Sequence, residues 1–216
     1  MKKVTLILSA VVTLLTFVGC NNSSAQNNKQ NTSTMETIKT RKSVRSYLDK
    51  AVEPEKVKAI AEAGNMSAKA AKLSFYAITN PATLHEVAET AKEMMKNSGN
   101  DFLAMRAGTP GFDPIYNAPA IVVVTAASSM PGFGNEMNIA SAGCAGENML
   151  LAATELGLGS CYTVSPTLAF ANPQLRAKVG MGEDESPVCV IVFGYTDDTK
   201  PHAPRPENPA NIKYID

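Results

Sequence analysis

Arg41-Lys42-Ser43-Val44-Arg45 places three cations and a hydroxyl within five residues. Guanidinium and ammonium groups neutralise a phosphate, and a serine hydroxyl can donate to one of its oxygens, so the segment is a candidate anion site. A charged run of this length also has the composition of a solvated turn. The rest of the chain offers little competing chemistry: there is no Ser-His-Asp order, nucleophile elbow, paired-carboxylate spacing or Walker loop. His85 and His202 stand far apart without clustered ligands, which argues against a zinc or iron site. No side chain is singled out as a general acid. An enzyme built from this sequence would leave the hard chemistry to a cofactor and supply orientation and charge itself.

The elements that must position this knot can be read from hydropathy patterns. The longest stretch is Asn135–Cys161, a helix apolar nearly all round, with Ala140, Ala142, Gly143, Cys144, Ala145 and Gly146 making its first half small-sided. Such a helix is buried. Its glycines each cost roughly 1 kcal/mol of helix stability, so close approach of another backbone or of a flat ligand is the expected compensation. Gly157 and Gly159 suit a helix end, and the chain then turns into a strand over Ser160-Cys161-Tyr162-Thr163-Val164-Ser165-Pro166. Helical spacing recurs at Val52–Met66 and at Ala82–Lys96, the latter with Leu84, Val87, Ala88, Ala91, Met94 and Met95 on one face. Met35–Lys42 can form a turn or two of helix, and Asn172–Val179 a short one. Leu73–Thr79, Ala120–Ala126 and Val188–Tyr195 read as strands, the last two apolar throughout and so buried on both faces. Asn97–Asn117, rich in Gly, Pro and Asp, reads as a loop long enough to have a job. The proline-rich tail Thr196–Asp216 should lie extended over a surface. Helices covering a central sheet make a mixed α/β layer structure. The central helix is too apolar for one modest sheet to cover, so a second copy of the chain is expected against its other side.

The N-terminus reads as an address. Met1-Lys2-Lys3 is followed by Val4–Gly19, sixteen uncharged and mostly apolar residues ending at Cys20. That is a secretory signal pattern, short of the about 20 residues of a transmembrane span. Gly19 before Cys20 resembles a bacterial lipobox, which implies removal of residues 1–19 and lipid on Cys20. The polar run to Thr34 is a tether, and residues 35–216 form one domain. Loss of Lys2 and Lys3 leaves 18 basic against 20 acidic residues, a balance that asks for no nucleic acid. Cys144, Cys161 and Cys189 remain, an odd number in apolar settings, and read as buried free thiols.

In combination, Arg41–Tyr47, Tyr116-Asn117-Ala118-Pro119 ahead of an apolar strand, Ala145–Ala153 closing in Gly157-Leu158-Gly159-Ser160-Cys161, and Phe193-Gly194-Tyr195 before a basic tail resemble the nitroreductase family of flavoproteins. The resemblance spans about residues 35–210. It implies an α/β fold of the α+β type: a three-layer sandwich with a central mixed sheet flanked by helices and the long helix at a homodimer interface, where FMN binds. Arg41 and Ser43 then match ligands of the phosphate and ribityl chain, with Lys42 adding charge or a backbone contact. Arg45 matches the cation at the pyrimidine edge of the flavin, where a fixed positive charge stabilises the charge left by reduction. Thr163-Val164-Ser165 matches the stretch that brings a backbone N–H near flavin N5. Arg205 matches a second phosphate ligand, with Lys200 beside it.

The activity implied is two-electron ping-pong reduction of a nitroaromatic, quinone or similar acceptor, with NAD(P)H or another donor. Met66–Ser74 departs from the family's pocket motif: Ser67 is retained, but Ala70, Lys72 and Ser74 replace its usual Asn, Gln and Trp. Lys72 is either a flavin contact or a solvated lysine. Two other readings stay open, a dehalogenase-like flavin reductase in which Asn97–Asn117 forms a lid, and a lipoprotein that binds a ligand or partner without turnover.

Overall fold

Ile121 and Val123 belong to one apolar cluster, and Ala120, Val122 and Val124 to another. That alternation along a single fully buried strand sets the layering. The computed structural model describes residues 33–127, 134–197 and 211–215. Its strands are β1 (Lys72–Ile78), β2 (Ala120–Ala127), β3 (Gly159–Thr163) and β4 (Glu185–Gly194), ordered β1-β2-β4-β3 with every pairing antiparallel. The sheet is mixed only through an isolated parallel bridge, Ser43 to Ser160.

Helices α2 (Pro54–Asn65) and α5 (Gly134–Glu155) cover one face, burying Ile60, Met149 and Ala153 against Val122, Val124 and Ile191. On the other face lie α3 (Pro81–Lys96), a 3₁₀ segment (Ser165–Ala171) and α6 (Pro173–Val179), which contribute Val87, Ala91, Phe170 and Leu175. The expected three-layer sandwich is therefore present. A short helix α1 (Thr34–Thr40) precedes the cationic knot, capped by the Ser33 side chain.

Local chemistry explains the boundaries. At the start of α3, Asn80 accepts from Thr83 N at 3.0 Å and Pro81 occupies the first turn, where its missing N–H costs nothing. The α3 stripe is buried as expected, except that Met94 is 38% exposed and only Met95 enters the core. The α5 helix closes at Gly157, φ 73, where Leu158 N reaches Ala153 O at 2.8 Å. Gly159 has a different role from helix closure: a Cβ there would stand 2.9 Å from the Val44 side chain. It admits the knot against β3.

Three expectations need correction. Asn97–Asn117 contains a helix, α4 (Asp101–Gly108), because Asn100 caps it through Leu103 N and Phe102–Ala107 are adequate helix formers between the turn residues. The segment after β3 does not continue as strand past Thr163; Pro166 leads the 3₁₀ turn instead. Strand β4 begins at Glu185 and passes through Pro187, which is tolerated because the register slips between Val124 and Thr125 and β3 pairs only with Val190–Gly194, leaving Pro187 unpaired on that side.

The small-sided helix divides into two faces. Ala142, Ala145, Met149 and Ala153 are wholly buried. A Cβ on Gly146 would meet the Tyr162 ring at 2.8 Å, so this glycine is where a flat side chain lies on the helix. Nothing lies within 4 Å of a Cβ on Gly143, Cys144 is exposed, and Ile139 is 56% exposed. This apolar face of the protomer is open.

Candidate functional site

The cationic knot is held in register by the sheet. Val44 N donates to Ser160 O at 2.8 Å, and the Val44 side chain is buried. Four residues on, Leu48 N donates to Tyr195 O at 2.8 Å. With Val44 turned inward, Ser43 and Arg45 are exposed, as alternation along an extended segment requires. Arg41 lies at the end of α1, and its Nε stands 3.0 Å from Glu147 Oε1 on α5. Lys42 is partly buried.

Arg45 reaches the other way. It sits over the Tyr116 ring, 6.0 Å from its centroid, and its Nη1 is 3.4 Å from Ser43 O. Its basicity is raised, first by the Cys161 thiol and also by Tyr116, against the opposing effect of burial. Cys161 itself is pushed up by burial, with Arg45, Ser43 and Arg41 pulling the other way. Tyr116 (φ 57) and Asn117 (φ 53) are both left-handed, a conformation unfavourable for tyrosine. Asp113 Oδ1 holds the turn by accepting Ile115 N at 2.7 Å and Asn117 N at 3.2 Å.

A cavity of about 490 Å³ opens beside Arg45, within the roughly 300–1,000 Å³ of small-molecule sites. One wall is Thr163-Val164-Ser165 at the end of β3, with Val164 54% exposed. A further part of the lining comes from α4 and the turn after it, including Phe102, Arg106 and Phe112. Four of the residues singled out from sequence, Arg45, Thr163, Val164 and Ser165, thus line one cavity, and Arg41, Lys42 and Ser43 lie on the segment leading to it. Lys200, Arg205 and Cys20 lie outside the described residues. Lys72 is exposed at the start of β1, and Ser67 is buried. Sequence reasoning missed Glu147, Arg106 and Phe112. The available signal was the pairing of an arginine with aromatics in a stretch otherwise rich in turn formers.

Three buried hydroxyls, Ser67 Oγ, Thr125 Oγ1 and Ser160 Oγ, have no hydrogen-bond partner among the described residues. Ser160 is the residue bridged to Ser43, so an unsatisfied hydroxyl lies at the root of the knot. Unmet hydrogen-bonding capacity there, with the guanidinium and ammonium groups alongside, is the donor set that an anionic, polyhydroxylated group requires. Among the described residues no cluster of His, Cys, Asp and Glu could hold a metal, and no helix is long and apolar enough to cross a membrane. Cys161 and Cys189 are buried free thiols, as expected, and burial pushes Cys189 up to about 11. Cys144 departs from expectation because it lies on the open side of α5.

Residues 38–195 match the sequence model of the nitroreductase family. A curated relative from Archaeoglobus fulgidus, carrying the provisional description NADH dehydrogenase/NAD(P)H nitroreductase, is 26% identical over 166 residues, 77% of this chain and 87% of its own length. The crystal structure of an FMN-bound nitroreductase from Bacteroides fragilis superposes with a TM-score of 0.74 at 27% identity, covering 85% of this chain and 99% of that one. A BluB-like flavoprotein from Clostridium difficile shares the fold, with a TM-score of 0.70 at 19% identity over 85% of this chain and 99% of its own.

Proposed function

We infer that this chain, which belongs to the nitroreductase family, is an oxidoreductase that binds FMN through the Arg41–Arg45 knot and presents the flavin to the cavity between Thr163–Ser165 and α4. The observation carrying this reading is the convergence of Arg45 and Thr163-Val164-Ser165 on one cavity of about 490 Å³. Bound FMN would supply the two-electron chemistry, taking hydride from NAD(P)H or another donor and passing it to a nitroaromatic, quinone or similar acceptor at the same face. This chain's own residues bind and orient. Arg41, Lys42 and Ser43 hold the phosphate and ribityl chain, Arg45 offers fixed positive charge at the edge where charge develops, and the backbone at Thr163–Ser165 faces the reacting side. Arg205 and Lys200 are proposed as further phosphate ligands.

The working unit is a homodimer, supported by the open face at Ile139, Gly143 and Cys144, which leaves apolar surface to water in a single protomer. We further propose an exported protein, with residues 1–19 as signal, lipid on Cys20 and a tether from there to the Ser33 cap of α1. The support for that is the sequence pattern alone.

The test is uptake of FMN by purified residues 21–216, followed after desalting by the visible flavin spectrum, and then bleaching by NADH or NADPH and reoxidation by a nitroaromatic. Changing both Arg41 and Ser43 to Ala removes two charge-assisted contacts and should weaken FMN binding by more than about tenfold. A folded chain that refuses FMN would refute the reading.

A further inference from the structure

Arg106 ends α4 with its guanidinium 4.8 Å from the Phe112 ring centroid. It lines the same cavity as Arg45, yet among the described residues it takes part in no salt bridge. The cavity wall contains two arginines, four aromatic rings (Phe102, Phe112, Tyr116 and Tyr162) and no carboxylate. Phe102 is 62% exposed although it faces this space. Solvation of the last turn of α4 would account for an arginine at this position. It would not account for a guanidinium laid on an aromatic face at the mouth of a cavity that also exposes Phe102.

We propose that Arg106 is a specificity-determining residue that selects flat aromatic acceptors bearing an anionic substituent such as a carboxylate, with Phe102 and Phe112 bounding the ring. The inference rests on the flavin reading, since it takes the Thr163–Ser165 part of the lining as the flavin side. Arg45 is committed there, on the knot. Arg106 is the second cation, carried by a different element and available to the ligand. Stacking on Phe112 limits the rotamers of the guanidinium, so less entropy is lost when it forms a paired contact with a planar carboxylate.

The experiment compares 4-nitrobenzoate with its neutral methyl ester on the FMN-loaded protein. Equilibrium Kd is read from the perturbation of the oxidised flavin spectrum without turnover, and KM is measured in parallel. Arg106→Gln should raise Kd and KM for 4-nitrobenzoate about tenfold, the size of one charge-assisted contact, and leave the ester within about twofold. Arg106→Lys should recover part of the loss, and added salt should weaken the wild-type protein for the anion only. Equal weakening for both ligands, no change for either, or a change confined to KM of the NADH or NADPH donor would overturn the proposal while leaving the flavin reading intact. A folded protein that takes up no FMN would overturn both.

Discussion

Gly146→Ala tests whether the central helix was built around the cavity wall. The new Cβ would lie 2.8 and 2.9 Å from two carbons of the Tyr162 ring and 3.4 Å from Ile191 Cδ1. Alanine gains roughly 1 kcal/mol of helix propensity over glycine, while overpacking a filled site costs about 1–3 kcal/mol. The clash falls on a ring rather than on the tip of a flexible chain. The Tyr162 hydroxyl lies beside the buried Cys189 thiol, and burial pushes it well above the usual tyrosine range. A contact under 3.0 Å on a ring puts the overpacking cost in the upper part of its range, about 2–3 kcal/mol, so the net loss should be about 1–2 kcal/mol, with a Tm lower by about 2–8 °C. Because Tyr162 lines the cavity, FMN retention should fall as well. Urea unfolding at fixed protomer concentration, run as a double-mutant cycle with Tyr162→Ala, isolates the contact. If Gly146→Ala were neutral or stabilising, or cost the same without the Tyr162 ring, the packing argument would be wrong.

Three further outcomes are expected. Glu147→Gln removes the carboxylate that engages Arg41 at 3.0 Å and should tighten FMN about two- to fivefold, the scale of a partly exposed ion pair; weaker binding by fluorescence titration would show that Glu147 supports the site. Burial alone would raise the Glu185 carboxyl, but hydrogen bonds from Ser74, Tyr76 and the Gly182 backbone outweigh it and hold the group below its ordinary value. Its contribution is thus complete above the unfolded carboxylate pKa and lost as pH falls through the lower folded value, so Glu185→Gln should flatten the acid limb of stability against pH in urea titrations, and an unchanged limb would contradict the assignment. Cys144→Arg puts a charge on the open face of α5 and should convert a dimer to a monomer by light scattering; a persistent dimer would place the interface elsewhere.

Much of the fold was legible because its signals are local. The apolar run Ala120–Ala126 can be stable only with both faces covered, and the spacing of Leu84, Val87, Ala88 and Ala91 specifies one buried helix face whatever lies against it. The cation-hydroxyl pattern at Arg41–Arg45 was equally readable, as was the demand for a close neighbour made by a helix rich in Gly and Ala. Helix α4 was hidden because its Gly- and Pro-rich flanks outweighed a short run of ordinary helix formers, and the deciding Asn100 cap is a single hydrogen bond.

What tertiary structure alone decided are the pairings between distant positions. Glu147 meets Arg41 because α1 ends against α5, and Val44 fits over Gly159 because the knot runs beside β3. Arg106 and Thr163–Ser165 line one cavity only because the tertiary fold brings α4 near the end of β3. Propensity and periodicity act over one or two turns of chain, so composition could state that Gly143 and Gly146 each wanted something close. Only packing could give Gly146 the Tyr162 ring and leave Gly143 facing outward.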